Sequence, residues 1–338
     1  MIGTMRAMAQ RRDLAGRRRP VGLLAALAGL WLVAGALALG LGSHDLGLAE
    51  WREAFARPDS LPGRILFDLR LPRALAGAVT GGGLAFAGAL LQVLLRNPLA
   101  DPYILGSSGG AALGRLAALG LGLGGPAVAL GGLAGALGSI LLVLLLARGP
   151  GDPLRLLLTG VVLSAGWGAG IAFLLAMAPD ASVRSLLFWL MGDLSLTEGP
   201  SPGALALLPG CLMAGALVAR PADLLLRGPH LAHALGVAVR PLAWSLVALA
   251  ALPIAVAVSL AGSLGFVGLI TPHLLRLAGL REHRWLLPGC LLAGGALVML
   301  ADTAARTLFA PRELPVGAFM ALLGVPLMLW LLRRRDRS

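Results

Sequence analysis

The sequence predicts an all-α integral membrane protein of about ten transmembrane helices, and three observations predict it. Hydrophobic residues make up 58% of the chain and charged residues only 13%, whereas soluble domains carry about a quarter charged. Apolar runs recur at 21–41, 72–95, 104–121, 126–147, 154–177, 203–219, 242–261, 264–280, 285–302 and 315–332, most of them near the ~20 residues that a crossing helix needs. Both termini are Arg-rich, and the positive-inside rule then demands an even number of crossings, which ten satisfies.

Taken in order, residues 1–20 read as a cytoplasmic tail carrying Arg11, Arg12, Arg17, Arg18 and Arg19. The apolar run that follows, Val21 to Leu41, imitates a secretory signal, with Ala36 and Ala38 as an A-x-A-like end. At about 21 residues it exceeds the roughly 7 to 15 of a signal core and matches a full crossing, so it is read as the first span. Residues 21–332 form one transmembrane domain, and 333–338, with Arg333, Arg334, Arg335 and Arg337, a second cytoplasmic tail. The cytoplasmic connections then hold Arg96, Arg148, Arg155, Arg220, Arg227, Arg240, Arg281 and Arg284. On the opposite side, Asp45, Glu50, Glu53, Asp59 and Asp68 roughly balance the arginines of 42–71, and 178–200 is acidic. The run at 264–280 is the weakest, because Pro272, His273 and Arg276 interrupt it, and it is expected to be short or partly irregular. Gly-x-x-x-Gly pairs at Gly77/Gly81, Gly131/Gly135 and Gly166/Gly170 predict close helix packing.

Composition also excludes chemistry. The net charge is +12, and all 28 basic residues are arginine, so the chain lacks the lysine that a P-loop ATPase places at nucleotide phosphates. Any ATP hydrolysis belongs to another chain. Cys211 and Cys290 fall inside apolar runs and read as small core residues. His230 and His233, spaced i, i+3, lack a third ligand and make a poor metal site, so no metal is expected. Neither a Ser/His/Asp set nor a carboxylate pair is credible, which argues against an enzyme. The carboxylates that secondary carriers keep inside the membrane are almost missing: Asp302 ends a span, and the one deep charge is Arg115. Arg115 either snorkels towards a wet cavity or meets an anionic substrate.

Two turns and a loop carry further signals. RNPLADP (Arg96 to Pro102) reads as a rigid cytoplasmic turn in which Asp101 caps the next helix. In LITPHLLR, Pro272 breaks the helical ladder of a short packed span, and His273 reads as structural. The segment 220–241 reads as two short helices split by Gly228 and Pro229. Leu224, Leu225, Leu231, Leu235 and Val239 would present apolar surface there, as a docking element or as an interfacial helix on lipid headgroups.

Seven segments in sequence resemble the FecCD family, the permeases of type II ABC importers for iron chelates, haem and cobalamin. They are LRLPR (Leu69 to Arg73), GGGLAFAGALLQVLLRNPLADPYILGSSGGA (Gly81 to Ala111), WLMGDL (Trp189 to Leu194), LGVAVRP (Leu235 to Pro241), GSLGFVGLITPHLLR (Gly262 to Arg276), DTAAR (Asp302 to Arg306) and ELPVGAFMALLGVPLMLWLLRR (Glu313 to Arg334). The motif residues carried over are Gln92, Asn97, Pro98, Asp101, Pro102, Gly265, Phe266, Gly268, Pro272, His273 and Arg276. The resemblance implies the type II importer permease fold in a bacterial inner membrane, with both termini cytoplasmic. It implies an iron-siderophore or related large chelate as cargo, with haem or cobalamin as the alternative and an ion-coupled carrier or a non-transporting scaffold as rivals. Arg70, Arg73 and Arg306 would dock an extracytoplasmic binding protein. His230, Ala234, Leu235, Gly236, Val239 and Arg240 would form the loop seated in an ATPase cleft. The implied partners are two ATPase subunits and a second permease chain, an identical one by expectation. No cofactor is expected on this chain, ATP and Mg²⁺ belonging to the ATPase. The fifth and tenth spans would line the path. Arg115 departs from the family, which carries an uncharged residue there, and Leu264 stands where isoleucine is commoner.

Overall fold

The computed structural model describes residues 2–42, 46–177, 186–195, 197, 199–310 and 313–335. Asp45, Arg337 and, of the acidic segment 178–200, residues 178–185, 196 and 198 lie outside the described residues, as do the side chains of the N-terminal arginines up to Arg18 and of Arg334 and Arg335.

Every described element is helical or a turn. The long helices are α1 (Ile2–Gly40), α4 (Leu71–Leu94), α6 (Pro126–Leu146), α7 (Pro153–Met177), α8 (Pro202–Leu226), α10 (Val239–Ala261), α12 (His283–Thr307) and α13 (Val316–Arg335). Shorter pieces are α2 (Leu48–Ala56), α3 (Leu61–Arg64), α5 (Ser107–Gly120), α9 (Pro229–Ala234) and α11 (Val267–Leu277). Each of the ten apolar runs lies on one of these helices, α5 and α11 included. Seven described helices are long and apolar enough to cross a bilayer by themselves: the 19–40 part of α1, the continuous 61–94 helix, α6, α7, α8, α10 and α12.

The shorter ones have a physical reason. At 11 residues α11 spans about 16 Å, half of a ~30 Å hydrocarbon layer. Residues 262–266, ahead of it, pack between other elements instead of running along the surface. Non-helical backbone is tolerated at that depth only inside protein. The expectation of a short, partly irregular eighth span is borne out. At the N-terminus the expected tail is itself helical, continuing α1 to 39 residues. That is about 58 Å, well beyond one bilayer.

Helix starts repeat one device, a side-chain oxygen next to a proline. Ser60 accepts from Gly63 N–H ahead of α3, Asp152 from Leu154 and Arg155 N–H ahead of α7, and Ser201 from Ala204 N–H ahead of α8. Each satisfies orphan donors of a first turn, while Pro62, Pro153 and Pro202 occupy positions where no N–H is needed.

Helix α4 is the axis of the bundle, buried along almost its whole length and packed against α8, α10, α11 and α12. Its glycines make this possible. A Cβ on Gly81 would overlap the backbone of Gly294 in α12, and one on Gly88 would overlap the backbone of Gly268 in α11. Gly131 and Gly135 of α6 meet Gly114 and Gly110 of α5 in the same way, whereas Gly166 faces open space. Between helices in lipid, such close approach supplies the van der Waals contact that the hydrophobic effect does not.

Candidate functional site

At the Arg73 end of α4 the chain is continuous from α3 through a widened π-helical turn, Ile65–Arg70. Such turns are frequent at functional sites. Arg70 Nη1 donates to the carbonyls of Leu39 and Gly40, both at 2.8 Å, and Arg306 donates to the carbonyl of Ala38. The last turn of α1, whose carbonyls have no partner within the helix, is therefore capped by two arginines. Arg73 grips Asp302 through Nε and Nη2 at 2.9 Å and Glu313 through Nη1 at 2.9 Å. Arg306 Nε lies 3.8 Å from Asp302 without a hydrogen bond. Arg70, Arg73, Arg306 and Glu313, with Ser195 and Thr197, border a recess of about 340 Å³. The three arginines of the resemblance are thus brought together, and each also has an internal partner, because a guanidinium this deep must be paired.

Towards the Arg96 end of α4 two distant motifs lock together. Asn97 Oδ1 accepts from Leu99 N–H at 2.9 Å, and Asp101 Oδ1 accepts from Tyr103 N–H at 2.9 Å. Asp101 therefore caps the 3₁₀ turn Pro102–Leu105, one step before α5, whose own N-cap is Gly106. Its carboxylate also accepts from Phe266 N–H, holding Phe266 in the left-handed region at φ 69°. Tyr103 Oη accepts from Leu264 N–H at 2.9 Å. The Pro102 ring lies against Gly268, where a Cβ would also come within 2.8 Å of the Leu84 carbonyl oxygen. Arg276 donates to Gln92 Oε1, and Gln92 Nε2 makes long contacts to the carbonyls of Gly268 and Leu269. Pro272 is buried in α11 and His273 half-buried, while Gly265 faces open space. Gln92, Asp101, Pro102, Phe266, Gly268 and Arg276 form a structural knot, and the described residues hold no cluster that could bind a metal.

Burial pushes the Asp101 carboxyl from its ordinary 3.8 up to about 6. The fold then binds the proton more tightly than the unfolded chain, so this contribution to stability is fully present below about pH 4 and lost as pH rises through about 6. By that shift the ionised group costs about 3 kcal/mol at neutral pH. Asp101→Asn keeps an acceptor for Tyr103 N–H and removes the charge. Thermal unfolding in detergent is expected to lose its slope between pH 4 and 6.5, with a higher Tm than wild type at pH 7.5. An unchanged slope would place the titrating group elsewhere.

At the Arg96 end, the segment expected as two short helices is one. Residues 220–226 complete α8, which runs through Pro221 to Leu226, and only α9 stands apart. Leu225 packs into the bundle, so the exposed apolar face consists of Leu226, Leu231 and Leu235, next to exposed His230, Ala234 and Arg240 and half-buried Val239. Gly236 ends α9 at φ 84°, its N–H reaching His233 O and the Val237 N–H reaching Ala232 O. That closure needs a left-handed residue, hence glycine.

Sequence reasoning missed three partners. Arg115 lies 5.0 Å above the ring of buried Trp189, a cation–π contact that accounts for a charge in a span. Asp302 is the buried counter-charge of Arg73. Tyr103, the only tyrosine of the chain, pins the loop ahead of α11. None of these pairs is close enough in sequence for spacing to suggest it.

The model of the FecCD transport family matches residues 30–334. The hemin transport system permease protein of Yersinia pestis is 42% identical over 284 residues, covering 81% of this chain and 84% of that one. The vitamin B12 import system permease protein of Shigella boydii is 38% identical over 324 residues, covering 95% and 98%. A solved structure described as an inward-facing conformation of a putative metal-chelate type ABC transporter superposes with a TM-score of 0.80 at 30% identity, over 93% of this chain and 99% of that one. With two of the family's motifs locked together and the family model matching from α1 to α13, the chain belongs to the FecCD transport family.

Proposed function

We propose that this chain is the membrane-spanning subunit of an ATP-driven importer that receives a large metal chelate from an extracytoplasmic binding protein. The reading rests on one observation, the match to hemin and vitamin B12 permeases over most of the chain. Both relatives are named for metal macrocycles, which favours a macrocyclic chelate over the iron-siderophore expected from the motifs. The Arg96 end is taken as cytoplasmic, by the arginine bias, in a bacterial inner membrane. There α9 presents Leu231 and Leu235 to an ATPase that carries ATP and Mg²⁺. At the other end, acidic groups of the binding protein would meet the recess bordered by Arg70, Arg73 and Arg306. Helices α7 and α13 leave Val161, Val162, Leu322 and Leu323 uncovered, which supports a second copy of the chain against them, with the path between. Alternating access then follows from ATPase closure moving α9 and, through it, α8 and α10.

Uptake into proteoliposomes loaded with ATP and supplied with the binding protein tests the cargo. Hemin or cyanocobalamin is expected to enter and a ferric siderophore not; the reverse would restore the siderophore reading. Transport that survives ATP removal but collapses with the membrane potential would overturn the importer reading altogether. Leu231→Asp with Leu235→Asp changes two exposed side chains and is expected to leave the Tm within a few degrees while removing the co-purifying ATPase. Full recovery of the ATPase would move the docking surface away from α9.

A further inference from the structure

Half-buried Arg115 carries a charge into α5, five residues short of its end at Gly120, about 7 Å of helix. The stem of its side chain faces Gly132 of α6 and Ser259 of α10, and its guanidinium carbon stands 5.0 Å from the centroid of the Trp189 ring. That contact attracts the charge but supplies no lone pair to the N–H donors of the group. Among the described residues none of those donors has a hydrogen bond or a carboxylate partner. Asp193, four residues on from Trp189, is engaged by Ser195, whose backbone N–H and hydroxyl both donate to it.

Trp189 adds a second open donor. Its ring is 5% exposed, and its buried Nε1–H has no partner among the described residues. A buried donor without an acceptor costs about 1 to 3 kcal/mol, and each one in a folded protein calls for a reason. Here such a donor adjoins a guanidinium that also lacks an acceptor. Two neighbouring donors of this kind suit an anion that comes from outside the chain.

The surroundings say where that anion comes from. The Asp193 N–H donates to the carbonyl of Ala261 at the end of α10, and the Gly192 carbonyl accepts from the Gly317 N–H at the start of α13, both at 2.9 Å. Ser195 borders the recess of Arg70, Arg73 and Arg306. The stretch 189–195 thus runs from the Arg115 contact to the rim of that recess, with the first turn of α13 beside it. Two residues before Arg115, Leu113 lies against Gly170 of α7. Arg115 is therefore placed between the recess and the two helices, α7 and α13, assigned above to the path.

We propose that Arg115 is a specificity-determining contact for the cargo, binding a carboxylate of the metal chelate as it passes from the recess into the path. The inference deepens the importer reading and rests on it. A charge held inside a span is costly unless it meets an opposite one, and a guanidinium meets a carboxylate through directed, charge-assisted hydrogen bonds. The apolar faces of α7 and α13 take the body of a macrocycle, and Arg115 selects the one that bears acid groups. Hemin, with two propionates, is of that class; cyanocobalamin, whose ring side chains end in amides, is not.

The test uses the full complex in proteoliposomes loaded with ATP, with the binding protein saturated by hemin or by hemin dimethyl ester, which keeps the macrocycle and lacks both carboxylates. Arg115→Gln is expected to lower hemin uptake about tenfold relative to wild type and to leave uptake of the ester unchanged. Arg115→Lys, which keeps the charge, is expected to recover a large part of the hemin uptake. ATP hydrolysis stimulated by the empty binding protein, which a merely structural defect would lower, is expected to be the same in all three proteins. Unchanged hemin uptake in Arg115→Gln overturns the proposal, and so does an equal loss for hemin and its ester. A wild type that takes up neither macrocycle with ATP would instead overturn the cargo reading itself, and this shows before any variant is compared.

Discussion

Gly88→Ala is expected to abolish most of the folded protein. A Cβ at residue 88 would stand 2.6 Å from the carbonyl carbon of Gly268 and 2.8 Å from its Cα, and closer still to its oxygen. Those are backbone atoms of α11, which cannot rotate aside as a side chain would. Separating α4 from α11 would also pull Gly268 from the Pro102 ring and Arg276 from Gln92. Overpacking of this kind costs about 3 kcal/mol or more, a large share of a typical folding free energy. The measurement is the yield of monodisperse protein in detergent and its Tm. Gly265→Ala is the control, since nothing lies within 4 Å of a Cβ there and its φ is not left-handed. It is expected to shift stability by less than about 1 kcal/mol. Equal behaviour of the two variants would mean that α4 and α11 are not packed as described.

The second large effect is expected from Arg73→Met. Asp302 is only 6% exposed, and without Arg73 its remaining counter-charge is Arg306 at 3.8 Å. Removing one member of a buried pair strands the other, at about 3 to 5 kcal/mol. Glu313, on the opposite side of the same guanidinium, is 47% exposed, and Glu313→Gln is expected to cost less than about 1 kcal/mol. Adding Asp302→Leu to Arg73→Met removes the stranded charge and is expected to recover most of the lost Tm while leaving binding-protein affinity impaired. If Arg73→Met alone kept the wild-type Tm and lost only uptake, Arg73 would serve docking and not the fold.

Much of this fold was legible because it is written in local pattern. Ten apolar runs gave ten helices, and the interruptions at Pro272, His273 and Arg276 marked the one that stops short. The cap at Asp101 was legible too, being a side chain acting two residues on. What was not legible lies far apart in the chain. Arg73 and Asp302 are 229 residues apart, Gln92 and Arg276 are 184, and Tyr103 and Leu264 are 161. No spacing rule reaches across such distances, so arginines that read as a free docking surface turn out also to hold the bundle together. The end of α8 was misplaced for a different reason. Arg220 and Pro221 look like a stop in sequence, but Ala222 and Leu225 are buried and carry the helix one and a half turns further.

The arginine caps on α1 bear on the order in which the chain is assembled. Ala38, Leu39 and Gly40 leave the ribosome early, and Arg70 follows within 31 residues, but Arg306 arrives 268 residues after Ala38. During most of synthesis the first helix is held at its far end by one arginine alone, and its seat against α12 does not yet exist. The first helix inserted is thus among the last to be fastened. A chain arrested before residue 306 leaves one of the terminal carbonyls of its first helix without the arginine that caps it in the complete fold.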